Sequence, residues 1–214
     1  MSFEWGEESE VQENRRRFLE KHDLKIDDCV FMDLEHGDEV AIVTEKDKGK
    51  KLTADALITN TPGVALFLMT ADCLPLALHD AAKKVIALVH LGWKSSDLGL
   101  ASKTVEAMTR EFSSNPQAMK AYIGPGIHKE SYLVQNPSQK DDPKWAPFLE
   151  EAMGFMKVDL VGFNLEALTN TGIPSENISI SPEDTVVSPE YFSHRHSTLS
   201  GKPEDRFVTV ARMI

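Results

Sequence analysis

Cysteine is scarce in this chain, which has only Cys29 and Cys73 among its 214 residues. Two cysteines cannot build the disulfide framework that stabilises small secreted domains. Long apolar runs are missing too, because none approaches the about 20 residues that a membrane-spanning helix needs. Residues 1–17 are charged and contain no apolar signal-peptide core. These absences predict a cytoplasmic protein with no membrane partner.

Positive charge is also in short supply. Lys and Arg number 23 against 34 Asp and Glu, which gives a formal net charge of -11. An acidic surface repels phosphate backbones and anionic lipids, so the composition predicts no nucleic-acid partner. A small anionic substrate would need a local cationic pocket.

Apolar residues are sufficient for a sizeable core, at 41% of the chain. No segment has the composition of an internal linker, so we expect residues 1–214 to form a single domain. The sequence leaves the oligomeric state open and is compatible with a monomer.

Strand-like and helix-like patterns are both present, and hairpins precede the longer helices. This order predicts an α+β fold rather than a doubly wound parallel sheet. Residues 136–147, rich in Pro, Asp and Lys, predict a surface loop. The helices are expected at 9–22, 96–112 and 159–170, and the strands at 30–34, 39–43, 55–59, 64–69, 74–78, 85–90, 119–123, 178–180 and 206–212.

The most informative feature is a predicted hairpin in which two apolar runs flank the polar segment 80–84. If residues 78 and 85 close the turn, paired residue numbers sum to about 163, and Cys73 lies opposite His90. Opposed Cβ atoms are roughly 5 Å apart, so a thiolate and an imidazole there could bind one metal ion. The alternative is a buried, apolar Cys73 and a structural His90.

A third ligand candidate, His36, lies at a His-Gly-Asp break between two strand-like runs. A histidine there points into a loop mouth rather than into the core. Two imidazoles and one thiolate form the kind of ligand set that catalytic zinc sites use, with a fourth position open. His22 and His79 are weaker candidates, because one lies in a charged helical stretch and the other at the turn, far from Cys73.

Six sequence motifs occur in an order typical of one protein family. The chain resembles the laccase-domain proteins, also called polyphenol oxidoreductase-like or YfiH-like and described as purine nucleoside phosphorylases. The motifs are EHGDEV at 35–40, ADALIT at 54–59, TADCLP at 70–75, VHLGWK at 89–94, YIGPGI at 122–127 and YFSHR at 191–195.

The resemblance implies both a fold and an activity. The implied fold consists of packed mixed β-sheets flanked by helices, in a layered α/β/β/α arrangement. His36, Cys73 and His90 fall on the family's zinc ligands. The implied activities are phosphorolysis of adenosine, inosine or methylthioadenosine, and adenosine deamination, so the expected partners are a purine nucleoside and phosphate.

The chain also departs from the family pattern. Family members normally begin with a further segment that carries a Ser-x-Arg-x-Gly-Gly-like motif, and we expect this chain to lack it. Lys94 stands where an arginine is usual, which replaces a planar bidentate anion binder with a point charge. Asp184 replaces a cysteine and His196 an arginine. These changes predict weaker substrate binding rather than a different fold.

Two cations are candidate phosphate ligands. Lys94 immediately precedes the expected start of a helix at residues 95–97, where backbone N–H groups favour an anion. The alternative is a solvated lysine, with the Asp97 carboxylate capping the helix. Arg195 is the second candidate, and its alternative role is a salt bridge with one of the many carboxylates.

Three further residues are candidates for the site. Trp93 could stack on a purine or cover the core. Asp72, a candidate catalytic residue beside Cys73, could orient a ligand histidine, accept a proton or cap a turn. Gly124 would allow close approach of substrate or only a tight turn.

Two other functions compete with the zinc-dependent phosphorylase. A copper-dependent polyphenol oxidase is disfavoured, although thiolate and imidazole ligands accept copper, because one cysteine and two histidines cannot supply several copper centres. The chain could instead be a weakly active metal-binding protein, or a hydrolase with Cys73 as nucleophile and His90 as base.

Overall fold

The structure, a computed structural model, describes residues 7–213. The expectation about the start of the chain concerns residues outside this range. The helices are α1 (Glu8–Glu20), α2 (Trp93–Asp97), α3 (Leu100–Phe112), α4 (Leu160–Asn170) and α5 (His194–Ser200). The strands are β1 (Cys29–Asp33), β2 (Val40–Ile42), β3 (Lys51–Thr53), β4 (Ala56–Thr59), β5 (Ala65–Thr70), β6 (Leu74–Asp80), β7 (Val85–Leu91), β8 (Lys120–Ile123), β9 (Leu133–Val134), β10 (Leu149–Ala152), β11 (Phe155–Val158), β12 (Ile178–Ile180) and β13 (Phe207–Arg212).

Two larger sheets and one small sheet contain these strands. The six-stranded sheet has the order β12-β8-β6-β7-β4-β2, and the four-stranded sheet has the order β13-β5-β1-β3. Both are mixed: β4 is parallel to β2 but antiparallel to β7, and β5 is parallel to β1 but antiparallel to β13. The predicted α+β class is therefore confirmed.

The layers follow from the alternation of side chains along the buried strands. On β7, Val89 packs into the core beneath α3 and α4, while Leu88 faces the four-stranded sheet. On β5, Leu66 belongs to the core between the two sheets, and Phe67 packs with Leu19 of α1. The order of layers is helix, sheet, sheet, helix, as the family resemblance implies. None of the described helices has the length and apolarity to cross a membrane.

The predicted helix over 96–112 is wrong at its start, where the structure has two helices. Helix α2 begins at Trp93, and its first turn is closed by Ser95, whose hydroxyl accepts from Gly92 N–H at 2.9 Å and donates to the carbonyl of His90 at 2.9 Å. Gly99, with φ +79°, separates α2 from α3. A left-handed residue cannot continue a right-handed helix, so the apolar periodicity spans two helices.

The predicted hairpin forms, but its register differs from the predicted one by two residues. Pro75, not Cys73, lies opposite His90. Strand β6 continues to Asp80, which pairs with Val85, and the Asp80 carboxylate accepts from Lys83 N–H at 3.1 Å in the turn. Asp80, which the sequence assigned to the turn, therefore belongs to the last pair of the ladder.

The segment predicted as a surface loop, 136–147, contains the fully buried Trp145. Its indole stacks on Phe163 with ring centroids 3.8 Å apart, and its N–H donates to the Asp97 carboxylate at 2.7 Å. The sequence analysis did not predict the small sheet around this segment, in the order β10-β11-β9. Strand β10 has no buried residue, so the apolar alternation that marks a strand is absent.

We expect Gly99→Ala to destabilise the protein. A side chain at φ +79° costs roughly 1–2 kcal/mol in the left-handed region, and no atom lies within 4 Å of the added Cβ to cause a clash. Urea unfolding should show that loss, while Gly99→Asn should lose less because Asn tolerates this conformation. Equal stability of Gly99→Ala and wild type would contradict the left-handed assignment.

Candidate metal centre

Three side chains that are distant in sequence converge at one end of the β6–β7 hairpin. His36 comes from the loop after β1, Cys73 from the residue before β6 and His90 from β7. One ligand atom from each lies within 4.8 Å of the other two. The two imidazole rings meet edge to face with centroids 4.8 Å apart. His36 is exposed, Cys73 half-buried and His90 buried, so the group runs from the surface into the core.

A buried carboxylate that the sequence analysis missed, Asp55, holds this group together. One oxygen, Oδ1, lies 2.8 Å from Nδ1 of His90 and accepts from His36 N–H at 3.1 Å. The other, Oδ2, accepts from Glu35 N–H at 3.2 Å and Gly37 N–H at 2.8 Å. The same carboxylate therefore orients the His90 ring and folds the loop that carries His36. With Nδ1 engaged, Nε2 is the nitrogen of His90 left for a metal.

Gly92 is a second residue whose role the sequence analysis missed. A Cβ atom built on Gly92 would lie 3.1 Å from the Cys73 sulfur and 3.4 Å from Cδ2 of His36. Such a contact is tight, and a longer side chain would push the two ligands apart. The glycine thus permits the close approach of the backbone after β7 to the metal centre.

The charges of the group suit a metal ion. Burial acts to raise the pKa of the Cys73 thiol, but His90 and His36 outweigh it and bring that pKa to about 6. Burial acts to lower the pKa of His90, but the Cys73 thiolate and Asp55 outweigh it and raise that pKa to about 9. Metals bind the thiolate rather than the thiol. A thiolate and two imidazoles within this distance fit zinc, and also copper.

A cavity of about 440 Å³ opens beside the metal centre. Its lining includes His36 and Cys73, and two of the predicted substrate residues, Trp93 and Arg195. The Arg195 guanidinium donates to the carbonyl of Leu133 at 2.7 Å and lies 5.4 Å from the centre of the Tyr132 ring. Within residues 7–213 this guanidinium forms no ion pair, so the alternative role in a salt bridge is not observed.

Asp72 lines the same cavity but does not bond to a ligand histidine. One oxygen accepts from the Thr185 hydroxyl and the other from Arg195 N–H, each at 2.7 Å. The backbone of Asp72 is left-handed, with φ 83°. Asp55, rather than Asp72, therefore orients the ligand histidine. Asp72, the residue before Cys73, instead accepts a hydrogen bond from the first turn of α5.

Two predicted site residues lie away from the cavity lining. Lys94 is an exposed residue inside α2, because that helix starts at Trp93 and not after Lys94 as predicted. The Asp97 carboxylate binds Trp145 at the end of α2 and caps no helix start. Gly124 donates its N–H to the carbonyl of Pro75 at 2.8 Å, and an added Cβ would lie 2.9 Å from Pro75 Cγ. Close packing of β8 against β6 accounts for this glycine.

Comparison with known proteins identifies the family of this chain. The family model described as multi-copper polyphenol oxidoreductase laccase matches residues 2–210. The chain belongs to this family. Among curated members, it is 30% identical over 203 residues to purine nucleoside phosphorylase YlmD of Bacillus subtilis, covering 88% of this chain and 73% of that protein. It is 29% identical over 198 residues to purine nucleoside phosphorylase YfiH of Escherichia coli, covering 90% and 78%.

Solved structures of family members have the same fold. YlmD from Geobacillus stearothermophilus superposes with a TM-score of 0.90 at 26% identity, over 100% of this chain and 84% of that one. The hypothetical protein YfiH of Bacillus licheniformis superposes with a TM-score of 0.86 at 29% identity, over 97% and 82%. The resemblance to YfiH-like proteins inferred from six motifs is confirmed.

We expect Asp55→Asn to weaken metal binding. The substitution removes the charge that orients His90. It also places an amide NH2 group against three backbone N–H groups and the His90 ring. Loss of a carboxylate that orients a ligand histidine typically costs about 10–100-fold in metal affinity. Zinc titration against a competing chelator measures the change. Asp38→Asn is the matched control, because the Asp38 carboxylate is partly exposed and pairs with Lys103. Equal affinities for the two variants would contradict the role of Asp55.

The two cysteines should differ in reactivity once metal is removed. Burial raises the pKa of Cys29 to about 12, whereas that of Cys73 is about 6. At pH 7, iodoacetamide should therefore modify Cys73 and spare Cys29, with a rate that rises through pH about 6 as the thiolate forms. Peptide mapping measures both sites. Added zinc should protect Cys73, and an unprotected Cys73 in zinc-loaded protein would exclude it as a ligand.

Proposed function

We propose that this chain is a zinc-dependent purine nucleoside phosphorylase that acts on adenosine, inosine or methylthioadenosine, with adenosine deaminase activity. The observation that carries the proposal is the convergence of His36, Cys73 and His90 beside a cavity that His36, Cys73 and Arg195 line. A volume of about 440 Å³ falls within the range of small-molecule sites. The names of the relatives, purine nucleoside phosphorylases, support the substrate class.

The walls of the cavity offer complementary surfaces for a nucleoside and for phosphate. The Trp93 indole is 39% exposed, which leaves apolar area for a purine ring. Arg195 presents a planar guanidinium that suits a phosphate oxygen pair. Asp72 acts as a positioning residue in this proposal, since it fixes Arg195 through the backbone N–H.

Phosphorolysis breaks the C–N bond between purine and ribose. An oxygen of hydrogen phosphate bonds to the anomeric carbon, the electrons of the C–N bond leave with the purine, and the proton of the hydrogen phosphate passes to the purine nitrogen. Arg195 would hold the phosphate in line with that carbon, and Trp93 would hold the purine, so the two reactants meet at a fixed distance. A zinc ion held by His36, Cys73 and His90 would supply a Lewis acid beside them.

Deamination would use the same cavity. Water would replace the amino group of adenine and ammonia would leave, and a zinc ion held by the same three residues would lower the pKa of that water. Chromatography of nucleoside incubated with and without phosphate separates the two reactions. Free purine that depends on phosphate reports phosphorolysis, and inosine formed from adenosine reports deamination. Bound zinc without either product would leave only a metal-binding protein.

A cysteine nucleophile is the second candidate function, because the pKa of Cys73 lies near 6 and His90 adjoins it. His36→Ala separates the two mechanisms, since it removes a metal ligand and leaves the thiol and His90 in place. On the zinc proposal, His36→Ala and Cys73→Ser both lose bound metal and purine release. Metal analysis and chromatography on the same preparations measure this. Full turnover by metal-free His36→Ala would favour the thiol mechanism.

The position of Lys94 outside the cavity changes the expectation for phosphate binding. Arg195→Lys should raise the KM for phosphate about tenfold, because a point charge replaces a bidentate fork. Lys94→Arg should leave that KM within about twofold, since a partly solvated charge contributes little. Initial rates over a phosphate series measure both constants. The reverse ranking of the two variants would identify Lys94 as the anion ligand.

A further inference from the structure

A second and larger cavity, of about 880 Å³, lies at the opposite end of the β6–β7 hairpin from the metal centre. Its walls are the end of α1, the hairpin turn and the end of β13. His79 on β6 lines it and lies six positions after Cys73, a span of about 20 Å along an extended strand. The two cavities share no lining residue among 7–213. They are therefore separate sites.

Apolar side chains form most of the wall of this second cavity. Ala77 and Ile86 contribute from the hairpin, and Val210 from β13. Phe18 of α1 adds an aromatic face and contacts the His22 ring at a centroid distance of 5.2 Å. A cavity of this size and lining suits a small molecule with an apolar or aromatic body.

The polar groups of the lining all carry or can accept positive charge. They are His22, His79, Lys84 and Arg212, and no Asp or Glu of the described chain lines the cavity. This is unusual in a protein of net charge -11, in which acidic residues outnumber Lys and Arg by 34 to 23. Neither Lys84 nor Arg212 forms an ion pair within residues 7–213. An anion would therefore meet two uncompensated cations.

The backbone is left-handed beside each of the two cations. The Arg212 guanidinium donates to the carbonyl of Asp23 at 3.0 Å, and Asp23 adopts a left-handed φ of 55° just beyond α1. Lys84 is also left-handed, with φ 53°, at the last position of the hairpin turn. A long side chain is uncommon there, and strain of this kind clusters at functional sites.

We propose that this cavity is a second binding site, for a small organic anion that joins an apolar or aromatic body to a phosphate or carboxylate group. The apolar wall receives the body, and Lys84 and Arg212 receive the anionic group. The site is independent of the chemistry at the metal centre.

Fluorescence titration with 8-anilinonaphthalene-1-sulfonate, an aromatic anion, tests the proposal. Saturable binding is expected, with a dissociation constant raised about threefold by Lys84→Gln and about tenfold by Lys84→Gln with Arg212→Gln, as expected for partly exposed ion pairs. Lys83→Gln is the matched control, because Lys83 carries the same charge next to Lys84 and does not line the cavity. Lys84→Arg should retain the wild-type affinity.

Competition identifies the anionic group. Displacement of the probe by adenosine monophosphate indicates a phosphate ligand, and displacement by decanoate indicates a carboxylate. Displacement by neither overturns the proposal. Equal effects of Lys84→Gln and Lys83→Gln, or an absence of saturation, also overturn it. Thermal unfolding of each variant guards against misfolding, and Lys84→Gln alone decides the question if Arg212→Gln does not fold, because Lys84 lies in an exposed turn.

Discussion

The hydrogen bonds of the buried Asp55 carboxylate are the interactions on which the candidate metal centre depends. A carboxylate that is 1% exposed costs several kcal/mol to bury unless it is paired and hydrogen-bonded. Here it meets the His90 ring and three consecutive backbone N–H groups of the His36 loop. Burial acts to raise its pKa, but these partners outweigh burial and hold the pKa below its usual value. The buried charge of Asp55 therefore has all its hydrogen-bond partners only when the His36 loop is folded and the His90 ring is in place.

Both cavities contain basic side chains, although the protein is acidic overall. Its net charge of -11 opposes the approach of an anion at long range, but screening limits that repulsion to about 10 Å in ordinary salt. Within each cavity, a few cations lie beside apolar walls, where charge interactions are stronger than in water. In the proposed functions, Arg195 provides this charge near the candidate metal centre, and Lys84 and Arg212 provide it at the far end of the hairpin.

Local patterns predicted most strands and the α+β class, because buried strands are apolar wherever they lie, whereas the order of layers came from the family resemblance. The strand at 178–180 has its predicted limits. The hairpin register was missed because Asp80 is polar but belongs to the ladder, and the helix break was missed because Gly99 lies within an apolar period. The convergence of His36 with Cys73 and His90 could not be predicted from sequence spacing, because it depends on the hydrogen bonds of Asp55 to the His36 loop. That aspartate stands directly before an apolar strand, and nothing local distinguishes it from a solvated residue.

Asp72 links the segment that carries Cys73 to helix α5. One of its oxygens accepts the N–H of Arg195, while its own backbone leads directly into Cys73. Asp72 is therefore the shortest covalent and hydrogen-bonded connection between α5 and the thiolate. Thermodynamic linkage then requires reciprocity: whatever factor an anion applies to metal affinity, the metal applies to anion affinity. In such an arrangement the order in which the two bind affects the rate of assembly but not its free energy.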